Sequence, residues 1–130
     1  MKIAPWVPLC AAWITASAPA GWAAVSESTF EVRNAGDLTE LCSASPSDPL
    51  YTAAINFCHG FAVGAFNVLQ EQEMAESRHL FCMQNPMPTR NEGIARFVQW
   101  AHANPNQMAR PATDAIAAFL SQQFLCARSR

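Results

Sequence analysis

The chain has 130 residues, of which 51% are apolar and 14% charged, with five cysteines and a formal net charge of −2. Since one compact domain takes about 100 to 200 residues, the length excludes a multidomain enzyme. The high apolar content excludes collagen-like, coiled-coil and disordered classes, and the absence of a basic stripe argues against a nucleic-acid partner.

Residues 1–23 have the composition of an export signal. Lys2, the only lysine, gives a positive start, and the segment 3–20 carries no charge. Gly21 and Ala23 place small residues where a signal peptidase requires them. Prolines interrupt the apolar segment, which argues against a transmembrane helix. We therefore predict a signal peptide over 1–23, cleaved near Ala23, and a periplasmic single helical domain over 24–130 without a membrane span.

Apolar residues of the predicted mature chain recur every three or four residues, which is the pattern of helices. The first helix is predicted over Ala35–Cys42, with Asn34 as its cap. Asp48 and Pro49 indicate the start of a second, long helix over Pro49–Arg78. One stripe of the second helix is apolar and consists of Ala54, Cys58, Phe61, Ala65 and Leu69.

Gly60 and Gly64 lie on an adjoining face of the predicted second helix. Each glycine costs about 1 kcal/mol of helix propensity relative to alanine. We therefore expect close helix packing at both, against either a neighbouring helix or a second subunit. The polar run from Gln70 to Arg78 contains three glutamates and is typical of a solvated helix end.

The linker from Cys82 to Pro88 contains two prolines, which exclude regular helix there. Thr89 and Glu92 form a capping box and start a third helix that runs to about Ala103. The residues predicted to face inward from this helix are Ile94, Phe97, Val98 and Ala101.

Asn104 and Pro105 end the third helix, and the last helix is predicted from near Pro111 to Phe124. Its predicted buried residues are Ala112, Ala115, Ile116, Phe119 and Leu120. Together these elements predict an all-α fold, a small bundle of four main helices held by two disulfides.

Four cysteines remain after removal of the signal, and in a small exported chain they most often form two disulfides. Three pairings are formally available. If the third and fourth helices form an antiparallel hairpin, Cys126 returns to the linker that holds Cys82, and a short loop can fold Cys42 onto Cys58. Pairing Cys58 with Cys82 would require the chain to climb roughly 25 Å of helix and return through a few residues. We therefore expect Cys42–Cys58 and Cys82–Cys126.

His59 and His79 lie close to cysteines in sequence and could join them as zinc ligands. However, Cys-x-x-Cys spacing is missing and an oxidising compartment favours disulfides, so we expect no metal and no cofactor. A catalytic Cys–His pair would need a free thiol, which an even cysteine count argues against. No Gly-rich phosphate loop, haem-attachment motif or Gly-x-Ser-x-Gly motif occurs, and His102 is interpreted as a surface residue. We expect no catalytic residues and no enzymatic activity.

Several short motifs follow one another in the order found in a known family: Leu38–Cys42, Cys58–Gly64, Phe81–Cys82, Phe97–Trp100, Asn104–Pro105 and Phe124–Cys126. In this ordered set, over about Phe30 to Cys126, the chain resembles the Rap/Tai-type immunity proteins of type VI secretion amidase effectors. The resemblance implies a disulfide-bonded, all-helical periplasmic protein that binds a peptidoglycan-cleaving amidase and blocks its papain-like active site. It also implies a homodimer.

Polar segments outside the predicted core are the candidate contact surfaces for a protein partner. One is the glutamate-rich end of the second helix. The other two are connecting segments: the linker, with Met83, Gln84, Asn85 and Met87, and the segment after the third helix, with Asn106, Gln107, an exposed Met108 and Arg110. The alternative function is a periplasmic helical binding module or chaperone without a toxin-specific role, which would hold clients or apolar ligands in an exposed groove.

Overall fold

The computed structural model describes residues 24–76 and 78–127, and the predicted signal peptide over 1–23 lies outside them. Four α-helices follow in chain order: α1 (Ala35–Cys42), α2 (Tyr51–Glu76), α3 (Arg90–Ala103) and α4 (Ala112–Gln123). Short 3₁₀ helices cover Glu27–Glu31 and Pro105–Gln107. The described residues contain no strand, so the predicted all-α fold of four main helices is confirmed.

The starts of α1 and α3 follow from the predicted capping residues. The Asn34 side chain accepts a hydrogen bond from the Asp37 backbone N–H at 3.0 Å, and so satisfies a donor that the first turn leaves open. At α3 the Thr89 hydroxyl accepts from the Glu92 backbone N–H, and the Glu92 carboxylate accepts from the Thr89 backbone N–H. Both caps agree with the sequence prediction.

The long helix α2 is shorter at each end than predicted. It begins at Tyr51 because Asp48 forms a turn first, with its side chain accepting from the Leu50 backbone N–H at 2.8 Å. The second carboxylate oxygen of Asp48 accepts from the Val25 backbone N–H at 2.8 Å. Asp48 therefore ties the start of the predicted mature chain to the start of α2.

The core is built around α1, which contacts the three other helices. Leu38 and Leu41 of α1 are completely buried. Rings from α3, from α4 and from Phe124 just after α4 pack beside them. The centroid of the Phe119 ring lies 5.6 Å from that of Phe97 and 5.9 Å from that of Phe124 in edge-to-face geometry, an arrangement that aromatic pairs favour. All five residues that were predicted to be buried in α4 are buried.

The predicted apolar stripe of α2 faces the core but is only partly covered. Of its five residues, Ala54 and Cys58 are buried, whereas the other three are half-buried against the core: Phe61, Ala65 and Leu69. Among the described residues of this 26-residue helix, only Ala54, Cys58 and Glu73 are buried. Helix α2 therefore leans on the core along one side and leaves much of its remaining surface uncovered.

Two disulfides close the fold, and they are the two pairs expected from the sequence. Cys42 pairs with Cys58, joining the end of α1 to α2 with 5.2 Å between their Cα atoms. Cys82 pairs with Cys126, joining the linker to the segment after α4 with 4.8 Å between their Cα atoms. The Cys82 backbone N–H also donates to the Phe124 carbonyl at 2.7 Å, so the linker and the chain end lie side by side.

The glutamate-rich end of α2 departs from the prediction of a solvated helix end. Glu73 is only 8% exposed. One of its carboxylate oxygens accepts hydrogen bonds from the backbone N–H groups of Leu80 and Phe81, the latter at 2.9 Å. Because a buried carboxylate needs such donors, Glu73 belongs to the connection between α2 and the linker, and the prediction was wrong at this residue.

Candidate functional site

The linker between α2 and α3 is held at both ends. The Cys82–Cys126 disulfide fixes its start and the Thr89–Glu92 capping box fixes its end. Met83 is half-buried against the core. Beyond it the chain exposes side chains that can contact a partner, namely Gln84, Asn85 and Met87, the last of them 59% exposed.

The segment after α3 is docked onto the start of α1. The Met108 carbonyl accepts from the Gly36 backbone N–H at 2.9 Å, and the Arg110 carbonyl accepts from the Ala35 backbone N–H at 2.8 Å. The Met108 side chain is half-buried and packs against the core, so the expectation of an exposed Met108 was wrong. The Arg110 guanidinium pairs with the Asp114 carboxylate at 3.7 Å. Fewer side chains of this segment than of the linker are therefore free to contact a partner.

The Asn106 side chain is exposed and Gln107 is half-buried. Gln107 accepts a hydrogen bond from the Arg110 guanidinium at 3.1 Å. The two candidate segments lie at opposite ends of the 14-residue helix α3, whose length is about 21 Å at 1.5 Å per residue. An interface that buries about 800 Å² on each partner is roughly 30 Å wide. One partner can therefore cover both segments, but the structure does not gather them into one pocket.

Gly60 and Gly64 lie on the uncovered face of α2. A Cβ atom built at either glycine would meet no heavy atom within 4 Å. No other backbone of the described residues therefore packs closely against them, and the neighbouring-helix explanation finds no support within the chain. Large apolar side chains share this surface, with Phe57 37% and Val68 54% exposed.

By length and composition alone, α2 could cross a membrane, although the sequence predicts no span in residues 24–130. Within the described ranges it is the one helix that meets this test, and little of its apolar stretch is buried. Its core-facing side is bonded covalently to α1 through Cys58. The apolar stretch of α2 is therefore a face that the other described residues leave largely uncovered.

The chemistry that these surfaces can perform is binding through hydrogen bonds and apolar contacts. All four cysteines of residues 24–127 are in disulfides, so their sulfurs are neither nucleophiles nor metal ligands. Over the same described residues no group of three or more His, Cys, Asp or Glu side chains could hold a metal ion. His59 is half-buried, whereas His79 and His102 are exposed.

One carboxyl group near the linker has a shifted pKa. Hydrogen bonds from the backbone N–H and the hydroxyl of Thr89 hold the pKa of Glu92 below its usual value of 4.5, and the nearby Arg96 guanidinium acts in the same direction. Glu92 therefore stays ionised at neutral pH and keeps the start of α3 capped.

Two features were missed by the sequence analysis. Trp100 is buried on α3, and its indole N–H donates to the Gln122 side-chain oxygen at 2.9 Å. A cavity of about 320 Å³ opens between the linker and helices α2 and α3 and reaches α1 and α4. Because its walls come from distant parts of the chain, no local sequence pattern could have revealed it.

Comparison with known proteins places the chain in a family. No solved structure and no curated protein matches it. The family model of the Rap1a immunity proteins matches residues 34–126, a range that contains all four helices and both disulfides. An immunity protein acts by binding a cognate effector, a role that suits a helical body with exposed, firmly held connecting segments. The chain belongs to the Rap1a immunity protein family.

Proposed function

We propose that the protein is a periplasmic immunity protein that binds and inhibits a peptidoglycan amidase effector of type VI secretion. The single observation that carries this proposal is the family match over residues 34–126. The amidase specificity is inferred from the ordered motifs, among them Cys58–Gly64 and Phe124–Cys126, through their resemblance to immunity proteins against amidases.

Two features support action in the periplasm. The two disulfides require an oxidising compartment to persist, and the composition of residues 1–23 is that of a cleavable export signal. Val25 is buried and its backbone N–H is bound by Asp48, so the residues just after the proposed cleavage at Ala23 already belong to the folded body.

Within this proposal the linker is the main contact surface. Its ends are fixed by a disulfide and a capping box, so little conformational freedom is lost when a partner binds, and such preorganisation raises affinity. Exposed Met87 supplies apolar contact area, while Gln84 and Asn85 supply hydrogen-bonding groups. The segment over 106–110 is a secondary surface because Met108 and Arg110 are already engaged within the chain.

Inhibition of peptidoglycan hydrolysis tests the function directly. The purified, disulfide-intact protein is added to purified type VI amidases and the release of soluble peptidoglycan fragments is followed. We expect stoichiometric inhibition of at least one amidase and a stable complex on gel filtration. If amidases of this class neither bind the protein nor lose activity, the amidase assignment is contradicted, while family membership is unaffected.

Alanine substitutions test the contact surface. Combined Gln84→Ala, Asn85→Ala and Met87→Ala should raise the dissociation constant of the amidase complex about tenfold or more, since central contacts contribute most of the binding energy. Gln99→Ala, on the exposed surface of α3 outside both segments, is the matched control and should leave the constant unchanged. An unchanged affinity of the linker variant would exclude the linker as the main contact.

We further propose that the protein is a homodimer in which two copies of α2 pack through the face that carries Gly60 and Gly64. The absence of a Cβ at both positions lets two helix backbones approach closely, and such contact would repay the propensity that the glycines cost. The centroid of the Phe57 ring lies 5.6 Å from that of Phe30 and 6.3 Å from that of Phe61. The face is therefore bordered by aromatic rings that a second copy would cover.

A substitution at Gly64 separates packing between subunits from packing within the chain. Because nothing lies within 4 Å of a Cβ there, Gly64→Leu should fold normally and favour helix, yet convert the dimer to a monomer in analytical ultracentrifugation. Gly93→Ala on α3, where a Cβ also meets open space, is the control and should stay dimeric. A monomeric wild-type protein would contradict the dimer, and a dimeric Gly64→Leu variant would contradict this interface.

A further inference from the structure

The cavity beside the linker has the size of a small-molecule site. Its volume of about 320 Å³ lies at the lower end of the range of about 300 to 1,000 Å³ for ligand pockets. Its walls reach Leu38 of α1 and Leu120 of α4, which are buried core residues. The cavity is therefore a half-open slot whose floor rests on the buried core.

The inner walls of this slot are apolar. They are formed by side chains from all four helices and the linker, including Phe66, Met83, Ile94, Phe97 and Phe119. Methionine side chains adapt their shape to an occupant, and Met83 and Met87 both border the slot. Such walls suit a flexible alkyl chain, which can adapt its shape to an apolar surface.

The charge at the mouth of the slot is positive. Among the described residues that line the cavity, Arg90 is the only charged one. Within residues 24–76 and 78–127 no ion pair involves Arg90. Glu92, two residues further on, already accepts hydrogen bonds from the backbone and hydroxyl of Thr89. The Arg90 guanidinium is therefore available for an anionic group at the mouth.

We propose that this slot binds an anionic single-chain amphiphile, with the alkyl chain between α2, α3 and α4 and a carboxylate at Arg90. The apolar walls together with the Arg90 guanidinium favour this occupant over an apolar anchor side chain of a docked protein, which would leave the guanidinium without an anion. The slot shares Met87 with the proposed contact surface, but the proposal rests on the walls of the slot and on Arg90 and not on the proposed immunity function.

Calorimetric titration with decanoate, kept below its micelle concentration, tests the proposal on the purified, disulfide-intact protein. We expect saturable binding of one decanoate per chain and a change in the fluorescence of Trp100. The Trp100 ring lies 6.2 Å from that of Phe97 and 5.8 Å from that of Phe119, and both phenylalanines line the slot. Decanol should bind about threefold more weakly, the size of effect expected for one exposed ion pair.

Two variants locate the ligand. Gly93 lines the slot and a Cβ there meets open space, so Gly93→Leu should fold normally, fill the slot and weaken decanoate binding about tenfold or more. Ala95→Leu, two residues further along α3 on its exposed surface and not part of the slot lining, is the matched control and should bind decanoate like the wild type. Arg90→Gln should reduce decanoate binding to the level of decanol and leave decanol binding unchanged.

The proposal is overturned if decanoate does not bind saturably, or if Gly93→Leu binds it as the wild type does. Equal affinities of the wild type for decanoate and decanol would overturn the role of Arg90 in holding the carboxylate. Inhibition of an amidase by the Gly93→Leu variant is measured in parallel. Decanoate binding tests the slot, whereas amidase inhibition tests the proposed immunity function, so the two outcomes stay distinct.

Discussion

The consecutive helices α3 and α4 pack against each other through Phe97, Trp100 and Phe119 and form a hairpin. This hairpin and the long helix α2 use apolar residues in opposite ways. In the hairpin, the rings of Phe97, Trp100 and Phe119 are buried and pack against one another. Helix α2 is as long as the two hairpin helices together, yet Phe57 and Val68 remain exposed on it. The hairpin thus buries its aromatic rings in the core, whereas α2 leaves apolar surface exposed.

The largest expected effect comes from removing an aromatic ring from the hairpin. Phe119→Ala should lower the free energy of unfolding by about 4 kcal/mol, because it leaves a cavity among three other buried rings. Phe57→Ala on α2 should cost less than about 1 kcal/mol in the monomer, since this ring is partly exposed. Urea unfolding at low protein concentration measures both, and equal losses would contradict the proposed difference between the two regions.

The second largest loss of stability is expected when the Cys42–Cys58 disulfide, which joins α1 to α2, is removed. Combined Cys42→Ala and Cys58→Ala opens a loop with a sequence separation of 16 residues and should cost about 3 kcal/mol through the entropy of the unfolded chain. We expect hydrogen exchange to increase more in α2 than in the hairpin, which keeps Cys82–Cys126. Uniformly faster exchange throughout the chain would show that α2 and the hairpin unfold as one unit.

The sequence predicted elements whose causes are local. Asn34 and Thr89 could be identified as caps because capping involves residues three positions apart. The disulfide pairs also followed from the sequence, since the lengths of the helices and connections left Cys42–Cys58 and Cys82–Cys126 as the pairs easiest to reach.

Features that depend on the packing of distant segments could not be predicted. Glu73 looks like any glutamate of a polar run, and only the return of the linker past α2 supplies its donors. Met108 becomes half-buried because its segment docks on α1. The slot at Arg90 exists because four helices and the linker leave space between them, which no residue pattern encodes.

The third prediction concerns Glu73, near the C-terminal end of α2. Glu73→Ala should lower the free energy of unfolding by about 2 kcal/mol, because it leaves the buried backbone N–H of Phe81 without its acceptor. Glu71→Ala, two residues earlier and exposed, is the matched control and should change stability by less than about 0.5 kcal/mol. If both substitutions change the free energy of urea unfolding by similar amounts, Glu73 does not stabilise the fold and the end of α2 is a solvated helix end.

The smallest effect concerns the start of the hairpin and depends on pH. The pKa of Glu92 is lowered in the folded protein by the hydrogen bonds from Thr89. Its contribution to stability is therefore present above the pKa of the unfolded chain and is lost as pH falls through the lowered, folded value. Glu92→Gln should be less stable than the wild type at neutral pH, and the difference should close on acidification. Glu71→Gln on the exposed side of α2 should show no such closing difference, and a Glu92→Gln deficit that persists in acid would contradict the role of the ionised carboxylate.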